Sequence, residues 1–277
     1  MAPEPTVSTA TSADPFEKFK AMQREGWAHF GPLALFTTPT AARLVRFAGI
    51  QPGQRLLDVG SGTGVVAITA ARLGARVTAS DLTPELLEQS RENARICGVP
   101  LEWHEADVER LPFPDAHYDV VLSQFGHMFA PRPDVAIAEM LRVLKPGGTI
   151  AFSTWPPDTF VGRMFQLSAR YAPPPPPGAS PPWQWGEPSL VRERLGERVR
   201  DLVFERDLML SNSLSPQHTR AMTERTAGPV AKLVRSLEEN DPATLARFRA
   251  EFDAITEQYF EHNMVRQSYL MTRAVKL

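Results

Sequence analysis

The chain has 277 residues, 43% of them hydrophobic and 22% charged, with a formal net charge of −2, an ordinary composition for a folded globular protein. No block of consecutive Lys or Arg occurs, which argues against a nucleic-acid partner, because a phosphate backbone is held through many basic contacts. The single cysteine, Cys97, excludes an internal disulfide and a cysteine-rich metal site, and no apolar run reaches the ~20 residues of a membrane-spanning helix.

Residues 1–13, rich in Pro, Thr, Ser and Ala, lack the basic start and apolar core of a secretory signal and read as a disordered tail; a cytoplasmic location is the expectation. An N-terminal helical arm is expected over 14–53. Its first helix opens at Asp14-Pro15, with Phe16, Phe19 and Met22 recurring on one face. Its second runs from Thr38-Pro39 to a stop at Gly49. From 54 to 155, strands are predicted at "RLLDVG", "RVTASD", "LEWHEAD", "YDVVLSQF" and "TIAFSTW". Between them lie helices at "GVVAITAARLG", "TPELLEQSRENARICG" and "PDVAIAEMLRVLKPGG". Such alternation builds a parallel sheet covered by helices on both faces.

The regularity fails across 156–277. "YAPPPPPGASPPWQWGEP" (171–188) reads as a surface loop of polyproline character, because proline supplies no backbone donor. A helix from Ser189 to Leu195 and a strand at "RDLVFERDLML" follow. A helical stretch then lines Leu245, Phe248, Phe252, Ile255 and Tyr259 on one face, and "VRQSYLMTRAVK" alternates like a strand. No internal repeat is present.

Gly60, Gly62 and Gly64 form a G-x-G-x-G turn enclosing Ser61, between the first strand and its helix. Dinucleotide enzymes use G-x-G-x-x-G to bring backbone amides against a pyrophosphate. Here Asp58 stands two residues before the first glycine, a carboxylate that would repel a pyrophosphate and attract an ammonium or sulfonium. S-adenosylmethionine carries both cations and no phosphate. Asp81 ends the second strand, where an acid can accept from both hydroxyls of a ribose, and Thr83 ahead of Pro84 is better placed to cap the next helix. Asp107 ends the third strand, where it could take the exocyclic amine of adenine while Val108 offers a backbone amide.

"LLDVGSGTG", "SDLTPELL", "ADVERLPFPDAHYDVVLSQFGHMFAP" and "MLRVLKPGGTIAFSTW" resemble successive motifs of the class I S-adenosylmethionine-dependent methyltransferases, nearest the branch holding the ubiquinone/menaquinone C-methyltransferases. The resemblance spans Gln54 to Trp155. It implies a Rossmann-like, doubly wound α/β fold with a seven-stranded sheet, whose last strand, "QSYLMTRAVK", runs antiparallel beside "RDLVFERDLML". It further implies a helical lid insertion and no metal. The implied contacts with S-adenosylmethionine lie at Asp58, Gly60, Ser61, Gly62 and Gly64, at Asp81 with Leu82, at Asp107 with Val108, and at Gln124.

The expected reaction is in-line attack on the cofactor's methyl group, leaving S-adenosylhomocysteine. Alignment alone supplies up to roughly 7–11 kcal/mol, so a base is needed only if the nucleophile arrives protonated. Candidates are His127, just past the fourth strand, and His29 in "WAHFGP"; His104, inside a strand, reads as structural. Quinone-type enzymes carry an asparagine-bearing segment after the comparable Phe-Gly, and this chain does not. An apolar pocket is expected from Trp27, Phe30, Phe125, Met128, Phe129, Trp155, Phe160, Met164 and Phe165. A small organic, apolar or aromatic acceptor fits it. The alternatives are a quinone-type C-methyltransferase, a nicotinamide-dependent oxidoreductase and a cofactor-binding relative without catalysis; the sequence sets no oligomeric state.

Overall fold

Five segments of the first half form β1 (Arg55–Val59), β2 (Arg76–Asp81), β3 (Glu102–Glu105), β4 (Tyr118–Gln124) and β5 (Leu144–Thr154). The second half adds β6 (Val199–Asn212) and β8 (Met264–Lys276), with the two-residue β7 (Phe260–Glu261) hairpinned onto β8. This computed structural model describes residues 15–277; Asp14 and the tail expected over 1–13 lie outside the described residues. The sheet order is β3-β2-β1-β4-β5-β8-β6, with β7 off that path. β1 to β5 pair in parallel, and β8 runs antiparallel between β5 and β6, as the resemblance implied.

β1 lies between β2 and β4, so the chain order reverses there and a crevice opens beyond the carboxyl ends of the strands. Strands covered on both faces read as continuous apolar runs, and Leu56, Leu57 and Val59 of β1 are all buried. One face packs Leu56, Val77 and Val120 against α2 (Ala34–Ala48) and α3 (Val65–Arg72). The other packs Leu57, Val121 and Phe152 against α5 (Pro133–Val143) and α7 (Pro188–Leu195). The remaining helix of this half, α4 (Pro84–Cys97), follows β2.

Three sequence expectations need correcting. α2 starts at Ala34, not Thr38, and Pro39 falls inside it. The hydroxyls of Thr37 and Thr38 both donate to the Ala34 carbonyl, and the one carbonyl that Pro39 leaves without an amide is that of Leu35, an exposed residue of the first turn. α5 stops at Val143, and Leu144 to Gly148 continue as strand, because Pro146 disfavours helix in the residue before it. The proline-rich segment is not simply a surface loop: Pro182–Gly186 forms a 3-10 turn that sinks Trp185 to 1% exposure. There the indole ring lies 4.6 Å from that of His127 and 5.6 Å from that of Phe152.

A third apolar cluster gathers α6 (Phe160–Tyr171), α9 (Gly228–Asn240) and α10 (Pro242–Glu257); α8 (Pro216–Thr226) leads into it from β6. The N-terminal α1 (Pro15–Trp27) crosses α9 backbone to backbone: a Cβ built on Gly228 would stand 2.0 Å from the Gly26 carbonyl oxygen. Among the described residues no helix is long and apolar enough to cross a membrane.

Candidate active site

A cavity of about 450 Å³, within the usual range of small-ligand pockets, lies over the carboxyl ends of β1, β2 and β4 and is roofed by α1, α6, α8 and α9. All its charged lining residues, Lys20, Asp58, Asp81 and Asp107, sit in one half.

In that half the three turn glycines take φ of +63°, +56° and +84°, a region that L side chains rarely adopt. Each is bare for its own reason. A Cβ on Gly60 would stand 2.8 Å from Gly126 Cα, and one on Gly64 would stand 2.3 Å from Ser90 Oγ. Gly62 has nothing within 4 Å of that position and lines the cavity with Gly60 and Ser61. Gly64 does not line it, although its neighbours Thr63 and Val65 do; its lack of a side chain lets α3 close on α4.

Asp58 is 1% exposed. Its Oδ2 accepts from the Ala67 amide at 3.1 Å, and Oδ1 has no partner among the described residues. Burial pushes this carboxyl up to about 7. A buried carboxylate with one oxygen unused is a seat for a cation. Asp81 accepts from the Gly62 amide at 2.8 Å through Oδ2 and from the Thr83 amide at 2.8 Å through Oδ1. Burial raises its pKa while these amides oppose the rise. It thus pins the glycine turn to the start of α4. Thr83 holds the N-cap position there, but its hydroxyl makes no capping bond.

Past β3, Asp107 accepts from the Glu109 amide at 2.9 Å and from the Lys20 ammonium at 2.6 Å. Lys20 also pairs with the buried Glu109, which holds Arg132 as well. Leu82 and Val108 line the cavity beside these acids. Gln124, at the end of β4, donates to the Thr37 carbonyl at 3.0 Å and keeps its Oε1 buried without a partner.

The other half is mostly apolar, with no carboxylate or ammonium among the described residues. Phe125 adopts φ +60°, a conformation uncommon for a bulky residue, and its ring stacks on Trp155 at 4.0 Å and 12°. Phe160, Val161, Met164 and Phe165 of α6 face it, and the arm contributes Trp27 and Phe30, with Trp27 set 4.5 Å from Phe129. Met209 and Ser211 of β6, Gln267 of β8 and His218 of α8 complete the wall.

Met128 is corrected: the short turn over His127–Phe129 sends it fully into the core and leaves Phe129 to face the cavity. His29 is exposed and does not line the cavity. His127 contributes to the wall at 1% exposure, but neither ring nitrogen reaches solvent or finds a partner among the described residues. Its ring is 4.6 Å from both Phe152 and Trp185, and burial holds its pKa down at about 3. It is therefore neutral and enclosed, not poised as a base.

Sequence reasoning missed Lys20, His218 and Gln267. On α1 the inward face is Phe16, Lys20, Gln23 and Trp27, whereas Met22 of the expected apolar face is exposed. "SLSPQH" does carry a helix-start signal, and Ser215 accepts the His218 amide at 3.1 Å.

Comparison with known proteins bears on this geometry. The profile of a family described as a methyltransferase domain matches residues 57–152. The uncharacterized protein Rv1403c of Mycobacterium tuberculosis is 36% identical over 239 residues, spanning 86% of this chain and 87% of its own. The ubiquinone/menaquinone biosynthesis C-methyltransferase UbiE of Shewanella pealeana is 38% identical over 111 residues, or 38% of this chain and 44% of its own. Among solved structures, a putative methyltransferase from Bacillus halodurans shares the fold with a TM-score of 0.59 at 19% identity, covering 85% of this chain and 98% of its own.

Proposed function

Because the chain belongs to the S-adenosylmethionine-dependent methyltransferases, we propose that it transfers the methyl group of that cofactor to a small, uncharged, largely apolar or aromatic acceptor. The observation that carries this reading is the division of the cavity: among the described residues, the charged ones that line it stand in one half, and the other half has none. An acceptor bearing a full charge would lose its hydration there with no counter-charge to replace it.

The residues of the charged half fit the cofactor. Asp58, with its unused oxygen, would hold the ammonium end, and the open face of Gly62 would let the ligand lie against the backbone. Asp81 would accept from the ribose hydroxyls with the lone pairs its two amide partners leave free. Asp107 and Val108 would take the adenine, and Gln124 would close the site beside β4. Bound there, S-adenosylmethionine supplies a methyl group already activated by a sulfonium.

The chain's own part is then to align the acceptor and exclude water. The stacked pair Phe125–Trp155 fixes a flat floor, and α1 and α6 close the roof. No side-chain base is assigned, since His127 is enclosed and neutral and His29 stands outside the cavity. The partial match to a quinone C-methyltransferase supports a second reading, methylation at carbon of a quinone-type ring.

Thermal melts test the cofactor. A ligand at ~100 times its Kd stabilises the fold by about 2.7 kcal/mol, so S-adenosylhomocysteine should shift the melt and NADH should not. A shift with NADH alone would overturn the reading. Release of S-adenosylhomocysteine across a library of neutral aromatic acceptors then identifies the substrate; turnover confined to charged acceptors would contradict the acceptor class.

A further inference from the structure

We propose that Gln267 and His218 are the polar anchors of the acceptor and select a molecule bearing an uncharged oxygen function, a carbonyl above all, on an apolar frame. The inference rests on the methyltransferase reading for the identity of the two halves of the cavity.

Gln267 sits on β8 directly opposite Met209 of β6, and both line the apolar half. Only 9% of it is exposed, and its carboxamide has no hydrogen-bond partner among the described residues. Buried amide groups are nearly always bonded, because leaving one unpaired costs the desolvation of both its donor and its acceptor. Its polar atoms are not shut away from solvent, so water bonds them while the cavity is empty, and a ligand that displaces that water has to offer an acceptor and a donor in its place.

His218 supplies a second group with a defined direction. Its Nδ1 accepts from the Leu214 amide at 3.3 Å and lies 3.2 Å from Ser213 Oγ. A backbone amide cannot be turned into an acceptor, so Nδ1 carries no proton and the neutral ring holds its proton on Nε2. Since the ring lines the cavity, Nε2–H is left as a donor, not a base. The two hydroxyls beside His218 are engaged elsewhere: Thr219 donates to Ser213 Oγ at 2.7 Å, and Ser213 donates to the Ser215 carbonyl at 3.0 Å. Gln267 and His218 offer two donors to one chamber whose wall is mostly aromatic and aliphatic, with Ser211 and Asn212 as further polar lining, and such a chamber suits a carbonyl oxygen. The Gln267 carbonyl remains for a neighbouring hydroxyl or amide hydrogen.

The test uses indan-1-one and indane, which share a shape and differ by one carbonyl oxygen, titrated by tryptophan fluorescence into protein saturated with S-adenosylhomocysteine. Wild type should bind the ketone roughly five- to tenfold more tightly than the hydrocarbon. Gln267→Met keeps the volume and should erase most of that preference while leaving indane and S-adenosylhomocysteine binding unchanged. It should leave the melting temperature of the ligand-free protein nearly unchanged, since no hydrogen bond within the protein is lost; a purely structural glutamine would lower it. His218→Asn keeps an acceptor for the Leu214 amide, loses the Nε2–H donor, and should lower ketone affinity independently.

Equal binding of ketone and hydrocarbon by wild type, binding of neither, or a ketone preference that survives both substitutions would overturn the proposal. Failure of wild type to bind S-adenosylhomocysteine at all would instead overturn the methyltransferase reading.

Discussion

The ammonium of Lys20 stands 2.6 Å from the Asp107 carboxylate, joining the first helix to the end of the third strand across the mouth of the cavity. Lys20 also pairs with Glu109, whose carboxylate is 1% exposed and bonded to Arg132. The arm is thereby fastened to the acid assigned to adenine. Lys20→Met should cost about 1.5–3 kcal/mol, the usual worth of a hydrogen bond to a charged group, and weaken S-adenosylhomocysteine binding. Urea unfolding and calorimetry check the two effects, and wild-type values in both would show that the arm does not hold the site.

Proton linkage tests Asp58. With the site empty its carboxyl sits at about 7, and a bound ammonium would lower it. Binding below pH 7 should therefore release a proton, and affinity should rise with pH up to about 7 and then level off. Calorimetry in buffers of different ionisation heat reads this directly. Asp58→Asn should abolish the released proton.

For His127 the sign is opposite in stability. Its folded pKa of about 3 lies below the ordinary 6.5, so between these values the unfolded chain binds more protons than the folded one. The stability linked to His127 is complete above pH 6.5 and lost as pH falls toward 3. Asp58, raised from 3.8 to about 7, contributes a slope of the other sign, stabilising most at low pH. His127→Phe should therefore leave turnover within about twofold and improve relative stability near pH 5. A loss of turnover of roughly a hundredfold or more, as removal of a general base can give, would return His127 to the mechanism.

Gly228→Ala probes the roof. Its Cβ would be driven to 2.0 Å from the Gly26 carbonyl, so α1 and α9 must part. Overpacking of this kind costs about 1–3 kcal/mol, and the substitution should also increase cleavage of the arm by trypsin.

What the sequence made legible was local. Leu56, Leu57 and Val59 announce a strand covered on both sides, and the acids at strand ends fall in the crevice because strand direction and topology put them there. What it hid depended on partners far along the chain. His127 is adjacent to the site in sequence, yet Trp185, 58 residues later, encloses it. Met128 and Phe129 both read as pocket residues, and a 3-10 turn decides that only Phe129 faces the cavity while Met128 enters the core. Lys20 was invisible to apolar periodicity because charge, not hydrophobicity, draws its face of α1 toward Asp107 and Glu109. Gln267 gained its place only from the register of β8 against β6.

The meeting of Gly60 with Gly126 makes one mechanical part of two loops. With no side chain between them to yield, a displacement of the first turn by an arriving nucleoside would press on the second at once. That second turn begins at Phe125, whose left-handed backbone is held there by its surroundings at a cost in strain. Occupancy at one end would then be felt as a tilt of the aromatic platform at the other, an ordering of the two ligands built from bare backbone.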